Sequence, residues 1–191
     1  MNTIAHMVLA SAALARRDQA EKNWAALAGA IAPDASMFVF FGWSLIQGWS
    51  GDETWNVQYW TQPWQTLGAI SNSFILFGLL LAFSLWRNRP ALAAFSAAAL
   101  LHLGLDVPLH ADDAHRHFWP LTDWRFASPV SYWDPDQNGL IGSAFETLLA
   151  LLATGILWLR FQALRWRALL LSLAALQSLS FALQVAWIVN R

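Results

Sequence analysis

The sequence predicts an all-α fold, a polytopic transmembrane helical bundle of about five to six membrane segments. Three observations point there. The 191 residues are 57% hydrophobic and only 12% charged, with a mean hydropathy of +0.39, whereas a soluble domain carries about 25% charged residues. Apolar segments fall at 1–15, 24–47, 66–86, 91–109, 141–159 and 168–189, and the last five, at 19 to 24 residues each, can span about 30 Å of hydrocarbon at a rise of about 1.5 Å per residue. Basic residues gather in alternate connectors: Arg16, Arg17, Lys22, Arg87, Arg89, Arg160, Arg165 and Arg167 are eight of the eleven Lys and Arg. The positive-inside rule places those connectors in the cytoplasm. Period-2 alternation is absent, which argues against a membrane barrel. No linker or internal repeat divides the chain, so residues 1–191 form a single domain.

The segments can be taken in order. Segment 1–15 is short for a span and reads as a short, tilted or partly inserted helix. No basic residue precedes it and Arg16 and Arg17 follow. That polarity is wrong for a cleavable signal peptide, so the segment is expected in the mature structure. Segment 24–47 contains Pro33–Asp34, either a carboxylate facing a site or a turn between two shorter helices. Segment 66–86 carries Asn72 and Ser73, placed to bond a ligand or to cement helix contacts. Segment 91–109 carries His102 and Asp106. The 110–140 connector faces outward and is rich in Trp and Pro; it is expected to form a structured cover at head-group depth. Glu146 opens the next segment from the outer side. The thirteen tryptophans read mostly as an interfacial belt.

Composition also excludes partners and chemistries. There is no cysteine, so disulfides and thiolate metal sites are ruled out and any metal must be held by nitrogen and oxygen. The net charge is -1 with no basic block, so nucleic acid is not a partner. The lipid bilayer is.

Four of the five histidines lie in the stretch His102–His117, together with Asp106, Asp112 and Asp113. His102 and Asp106 are four residues apart and share a helix face; His110 continues the stripe unless Pro108 ends the helix. Buried ionisable groups inside a span are costly and mark function. Imidazoles and carboxylates at this density suit a divalent metal, Zn foremost, with Mn, Mg or Fe as alternatives. Counting helical rise from the basic connectors brings His6, Asp34, Asn72, His102, Asp106 and Glu146 to the middle and outer half of the bilayer. The competing reading of His102 and Asp106 is a hydrogen-bonded pair. An isolated histidine such as His6 is, by itself, more often a packing residue. Asp112 and Asp123 read as solvated loop charge. Arg116 and Arg125 either bind an anionic head group or pair with nearby aspartates.

Four motifs recur together: Ile4–Ala5–His6, Ala32–Pro33–Asp34, His102 to Asp106, and the run Trp119–Pro–Leu–Thr–Asp–Trp–Arg–Phe126. In them the chain resembles the YdjM-type family of bacterial inner-membrane metal-dependent hydrolases. The resemblance implies hydrolase chemistry at a divalent metal and adds His6 to the ligand set. Two family features differ: a second acid after Asp34 is here Ser36, and a histidine-bearing segment corresponds to Ser71–Asn72–Ser73. Either His110 or His115 then substitutes for the missing imidazole, or the site holds a different number of metal ions.

The resulting expectation is a hydrolase in the bacterial inner membrane with its site toward the periplasm, acting on a lipid-like phosphoester or amide. His6, Asp34, His102, Asp106 and His110 would hold the metal. Asp113, His115 or Glu146 would serve as acid or base, and Arg116 would meet developing negative charge. Two alternatives are a metal or proton carrier, for which the cytoplasmic half offers few polar residues, and a non-catalytic membrane scaffold subunit.

Overall fold

The structure, a computed structural model, describes residues 1–190; Arg191 lies outside them. Eight helices run α1 (Thr3–Leu14), α2 (Ala20–Ile31), α3 (Ala35–Gln47), α4 (Gln62–Ser71), α5 (Phe74–Trp86), α6 (Pro90–Asp106), α7 (Gly139–Arg160) and α8 (Leu164–Val189). Short turns lie between them, and no strand occurs among the described residues. Counting α2 with α3 and α4 with α5 gives five helical stretches long and apolar enough to cross a membrane: Ala20–Gln47, Gln62–Trp86, Pro90–Leu109, Gly139–Arg160 and Leu164–Val189. The chain is a multi-pass membrane protein of helical-bundle architecture. Three of the stretches begin four residues before the apolar segments, because polar first turns such as Ala20–Glu21–Lys22–Asn23 continue the same helix.

The first segment behaves differently. α1 has 12 residues, about 18 Å of helix and short of a full span. It packs against α2, α6, α7 and α8, with Ala5, His6, Val8 and Ala10 buried. Its C-terminal carbonyls would be orphaned in an apolar surround. The Arg160 guanidinium at the end of α7 supplies the donors, reaching Ala12 O and Ala15 O at 2.8 Å each. A cation at a helix C-terminus also suits the helix dipole.

Small residues set how closely the bundle packs. Ala10, Ala26, Ala30 and Ala98 form one core cluster. At Gly29 of α2 a Cβ would lie 2.0 Å from the Phe95 carbonyl oxygen of α6. Helices in lipid associate through this kind of backbone approach. It brings α2 against the face of α6 that carries His102.

Two helix interruptions lie side by side. Pro33 has no N–H to donate, and Ala32–Asp34 becomes a 3₁₀ turn between α2 and α3. The second break, Asn72–Ser73, separates α4 from α5. Asn72 Nδ2 donates to Pro33 O at 3.4 Å, and the Ser36 and Ser71 hydroxyls meet at 2.6 Å. Irregular backbone at membrane depth is tolerated where protein buries it or a cavity lines it. Here the 110–140 connector does the burying. Phe74 N–H donates to His117 O at 2.8 Å, His117 Nδ1 to Asn72 O at 3.1 Å, and the Ser73 hydroxyl to Trp119 O at 2.5 Å.

The same connector returns over α6. Ser128 N–H reaches His110 O at 2.9 Å and Tyr132 N–H reaches Leu109 O at 3.0 Å. It meets α7 where a Cβ on Gly142 would lie 2.3 Å from Ser131 O.

Gly29→Leu is expected to force α2 from α6. Overpacking costs about 1–3 kcal/mol and more where the obstacle is backbone. A lowered unfolding temperature in detergent, with Gly42→Leu (open space at that Cβ) as the silent control, checks it.

Candidate metal centre

His102 is buried and its Nδ1 donates to the Ala30 carbonyl at 2.7 Å. That bond fixes the proton on Nδ1 and leaves Nε2 as a lone pair in the neutral ring. Nε2 lies 3.1 Å from Asp106 Oδ2 and 3.6 Å from Asp34 Oδ1, without a well-formed hydrogen bond. A lone pair facing two carboxylate oxygens is repulsive unless a cation or a second ring proton stands between them.

His6 of α1 arrives from the opposite side. Its ring stacks on His102 with centroids 3.4 Å apart and planes 12° apart. His6 Nε2 meets Asp106 Oδ1 at 2.9 Å, while its buried Nδ1 has no partner. Single ligand atoms from His6, His102 and Asp106 all lie within 4.8 Å of one another. The Met1 amine also reaches Asp106 Oδ1 at 2.5 Å.

Asp34 sits at the helix break, half-buried, with Oδ2 accepting from the Thr3 hydroxyl at 2.5 Å. His110 lies just beyond α6, where the Val107–Leu109 turn carries the i,i+4 stripe past Pro108. Its Nδ1 donates to Asp113 Oδ2 at 2.9 Å, which turns Nε2 toward Asp106 Oδ2 at 3.5 Å. Trp133 Nε1 donates to the same Asp113 oxygen at 3.0 Å. Burial alone would lower the His110 pKa, but the Asp106 carboxylate and the bonds to Asp106 and Asp113 bring it up to about 9. Asp113 moves down against the effect of burial, because His110 and Trp133 donate to it.

His6, His102 and His110 thus face the Asp106 carboxylate, and Asp34 joins the cluster through His102; of the five residues expected as ligands, His6, His102 and Asp106 lie close enough together to share one ion. The donor set fits a divalent ion. Nitrogen and oxygen donors of this kind suit zinc and its neighbours, and His6, His102 and Asp106 each offer one ligand atom within 4.8 Å of the others.

A cavity of about 620 Å³ adjoins the cluster. Asp34, His110, Asp113 and His115 line one part of it; Phe40, Trp55, Tyr59, Trp60 and Trp64 form an aromatic wall opposite Tyr132 and Trp133. Phe40 anchors that wall, touching Trp64, Tyr59 and Trp55 with ring centroids 5.0, 5.5 and 5.6 Å away. Burial, then the charge at His110, takes the His115 pKa down to about 3, so His115 is a neutral imidazole. Burial, then Asp113, pushes the Tyr59 phenol up to about 12.

Four other residues singled out in the sequence have different places. Arg116 does not line the cavity: it donates to Asp123 Oδ1 at 2.9 Å and to Gln65 O at 2.5 Å. Arg125 reaches Ala114 O at 3.0 Å and Gln65 Oε1 at 2.9 Å. Together they clamp the connector to α4. Glu146 is buried on α7 beside a second cavity. Asn72 also lines the cavity, while its amide and carbonyl close the helix breaks. The aromatic wall was hidden in the sequence because Trp55, Trp60 and Trp64 have the composition of a belt. Gln177 of α8, bonded to Glu146, was also missed; an amide in mid-span was the available signal.

In comparisons with family models, curated proteins and solved structures, nothing matches the chain.

Gln65→Leu should remove one side-chain acceptor from the clamp and loosen the 110–130 backbone, at a cost of about 0.5–1.5 kcal/mol, since the partly exposed Arg125 donor can turn to water. Faster proteolytic cleavage in that connector, with the helical circular dichroism retained, is the expected readout.

Proposed function

We propose that the protein is a membrane-embedded, metal-dependent hydrolase of the bacterial inner membrane, acting on a lipid-like amide or phosphoester. One observation carries this reading: His102 has its proton fixed on Nδ1 by Ala30 and its Nε2 turned toward two carboxylates. A divalent cation resolves that arrangement with the residues already in place. Imidazole and carboxylate donors without thiolate favour Zn²⁺, with Mn²⁺, Fe²⁺ and Mg²⁺ as alternatives.

In this reading the buried triad His6, His102 and Asp106 holds the ion, and Asp34 and His110 approach it from the cavity side. When bound, the ion supplies Lewis acidity and a source of hydroxide at neutral pH. The protein's own residues supply the rest. Asp34 Oδ1 faces the cluster and Oδ2 is held by Thr3, which places it to take the proton from the attacking water. Asp113 orients His110. His115, neutral and weakly basic, hydrogen-bonds the polar end of the substrate and does not compete for the proton. The aromatic wall takes up the apolar chain and excludes water, which strengthens electrostatics inside.

Topology supports the location. Arg17 of the α1–α2 connector bonds to the Arg160 carbonyl at the end of α7, so two basic connectors meet at one end of the bundle. The cavity lies among the Trp-rich connectors that lead away from it. With basic residues inside, the cavity faces the periplasm.

Metal analysis of the purified chain is expected to give one ion per chain or more, lost in both His102→Ala and Asp106→Ala with helical content retained. Folded wild-type protein that takes up no metal would instead mean a doubly protonated His102 in an ionic cluster, and the reading would fall. A screen of lipid amides and phosphoesters on the metal-loaded protein then identifies the bond cleaved.

Asp113→Asn is expected to weaken metal affinity by roughly 10–100-fold without changing stoichiometry at saturation, because it perturbs the partner that orients His110. A metal titration against a competing chelator measures it.

A further inference from the structure

A second cavity, of about 310 Å³, lies between α7 and α8 and is separated from the first by Tyr132 and Trp133. Glu146 and Gln177 line it and are 1% and 2% exposed. Glu146 Oε1 accepts from Asn2 N–H at 3.1 Å and from Gln177 Nε2 at 3.0 Å. Gln177 Nε2 also donates to the Thr147 hydroxyl at 3.2 Å, which fixes the orientation of the amide. Glu146 Oε2 and Gln177 Oε1 are left over, both buried and both without a partner.

These two orphans are acceptors, so the missing group is a donor. They belong to a carboxylate and an amide inside candidate membrane spans, where unsatisfied polar groups are expensive. No ion pair among the described residues includes Glu146, so a cationic donor would bring it charge as well as a hydrogen bond. The remaining lining suits one. Ser143 and Ser180 add hydroxyls, and Trp133 adds a ring of the kind that attracts alkylammonium ions. Trp133 and Trp187 are 41% and 51% exposed, which places them at the rim, where an amphiphile can enter from the lipid side.

We propose that the space between α7 and α8 is a binding site for a primary ammonium group carried on an apolar chain. Glu146 and Gln177 accept two of its N–H bonds. A primary ammonium has three donors, enough for both orphans and one serine hydroxyl. A quaternary ammonium has the charge without donors, and an alcohol has one donor without the charge; both leave an acceptor bare. The site stands independently of the metal reading.

The test is a scintillation-proximity assay of tritiated octylamine on the full chain in a neutral maltoside detergent. Saturable binding of one octylamine per chain is expected. Octyltrimethylammonium and octanol should displace it at least tenfold less well than unlabelled octylamine. Glu146→Gln should lose at least tenfold in affinity while keeping the wild-type unfolding temperature. Should Glu146→Gln fail to fold, the wild-type displacement order decides alone. Equal displacement by octyltrimethylammonium, or full affinity in folded Glu146→Gln, would overturn the proposal. Repeating the assay in nanodiscs separates two sources of the amine. Competition by phosphatidylethanolamine but not phosphatidylcholine assigns the site to a lipid head group; competition by neither assigns it to a free long-chain amine.

Discussion

The hydrogen bond from His102 Nδ1 to the Ala30 carbonyl governs the rest of the centre. It exists because α2 packs on α6 at backbone distance through Gly29. Once the proton is fixed there, the other nitrogen of His102 has to face Asp106 and Asp34, and the charge balance of the cluster follows. His110 repeats the device with Asp113 in place of a carbonyl. His117 repeats it with Asn72, but uses it to seal a helix break. Three imidazoles are thus oriented through Nδ1, and two of them turn Nε2 toward the same carboxylate.

The spans were legible in the sequence because about 20 apolar residues in a row have few other uses. Their starts were not, since a polar first turn such as Glu21–Lys22–Asn23 continues the helix without contributing hydropathy. The Pro33 interruption was legible from the missing donor of proline. That it lies against a second interruption at Asn72 was not, because only tertiary packing joins residues so far apart. Helical rise and charge alternation brought His6, Asp34, His102 and Asp106 to one depth, together with Asn72 and with Glu146, which faces the second cavity instead; His110 followed only from the His102–Asp106 stripe. Their oxygen and nitrogen partners could not be anticipated, since Ala30 and Asp113 act through a carbonyl and a loop contact.

The aromatic residues show what composition leaves open. Trp55, Trp60 and Trp64 satisfy every expectation of an interfacial belt, and all three also line the cavity. Amphipathic rings suit both places for the same reason, an apolar body with a polar edge. The loop arginines are a second case. Arg116 and Arg125 could have met an anion or nearby aspartates; Arg116 does pair with Asp123, and Gln65 and the Ala114 carbonyl take the other donors. Backbone and amide acceptors compete for guanidinium groups, and the sequence around Arg116 and Arg125 does not announce Gln65 as one of them.

Helix α1 carries one more implication, for biogenesis. It is too short to hold itself across a bilayer, and the donors that satisfy its last carbonyls come from Arg160, late in the chain. During synthesis α1 meets α2 and then α6 first, whereas the donors for its last carbonyls arrive only with α7. The contacts of His6 with His102 and Asp106 can therefore form before the far end of α1 is sealed, and α7 locks a cluster that α6 has already completed.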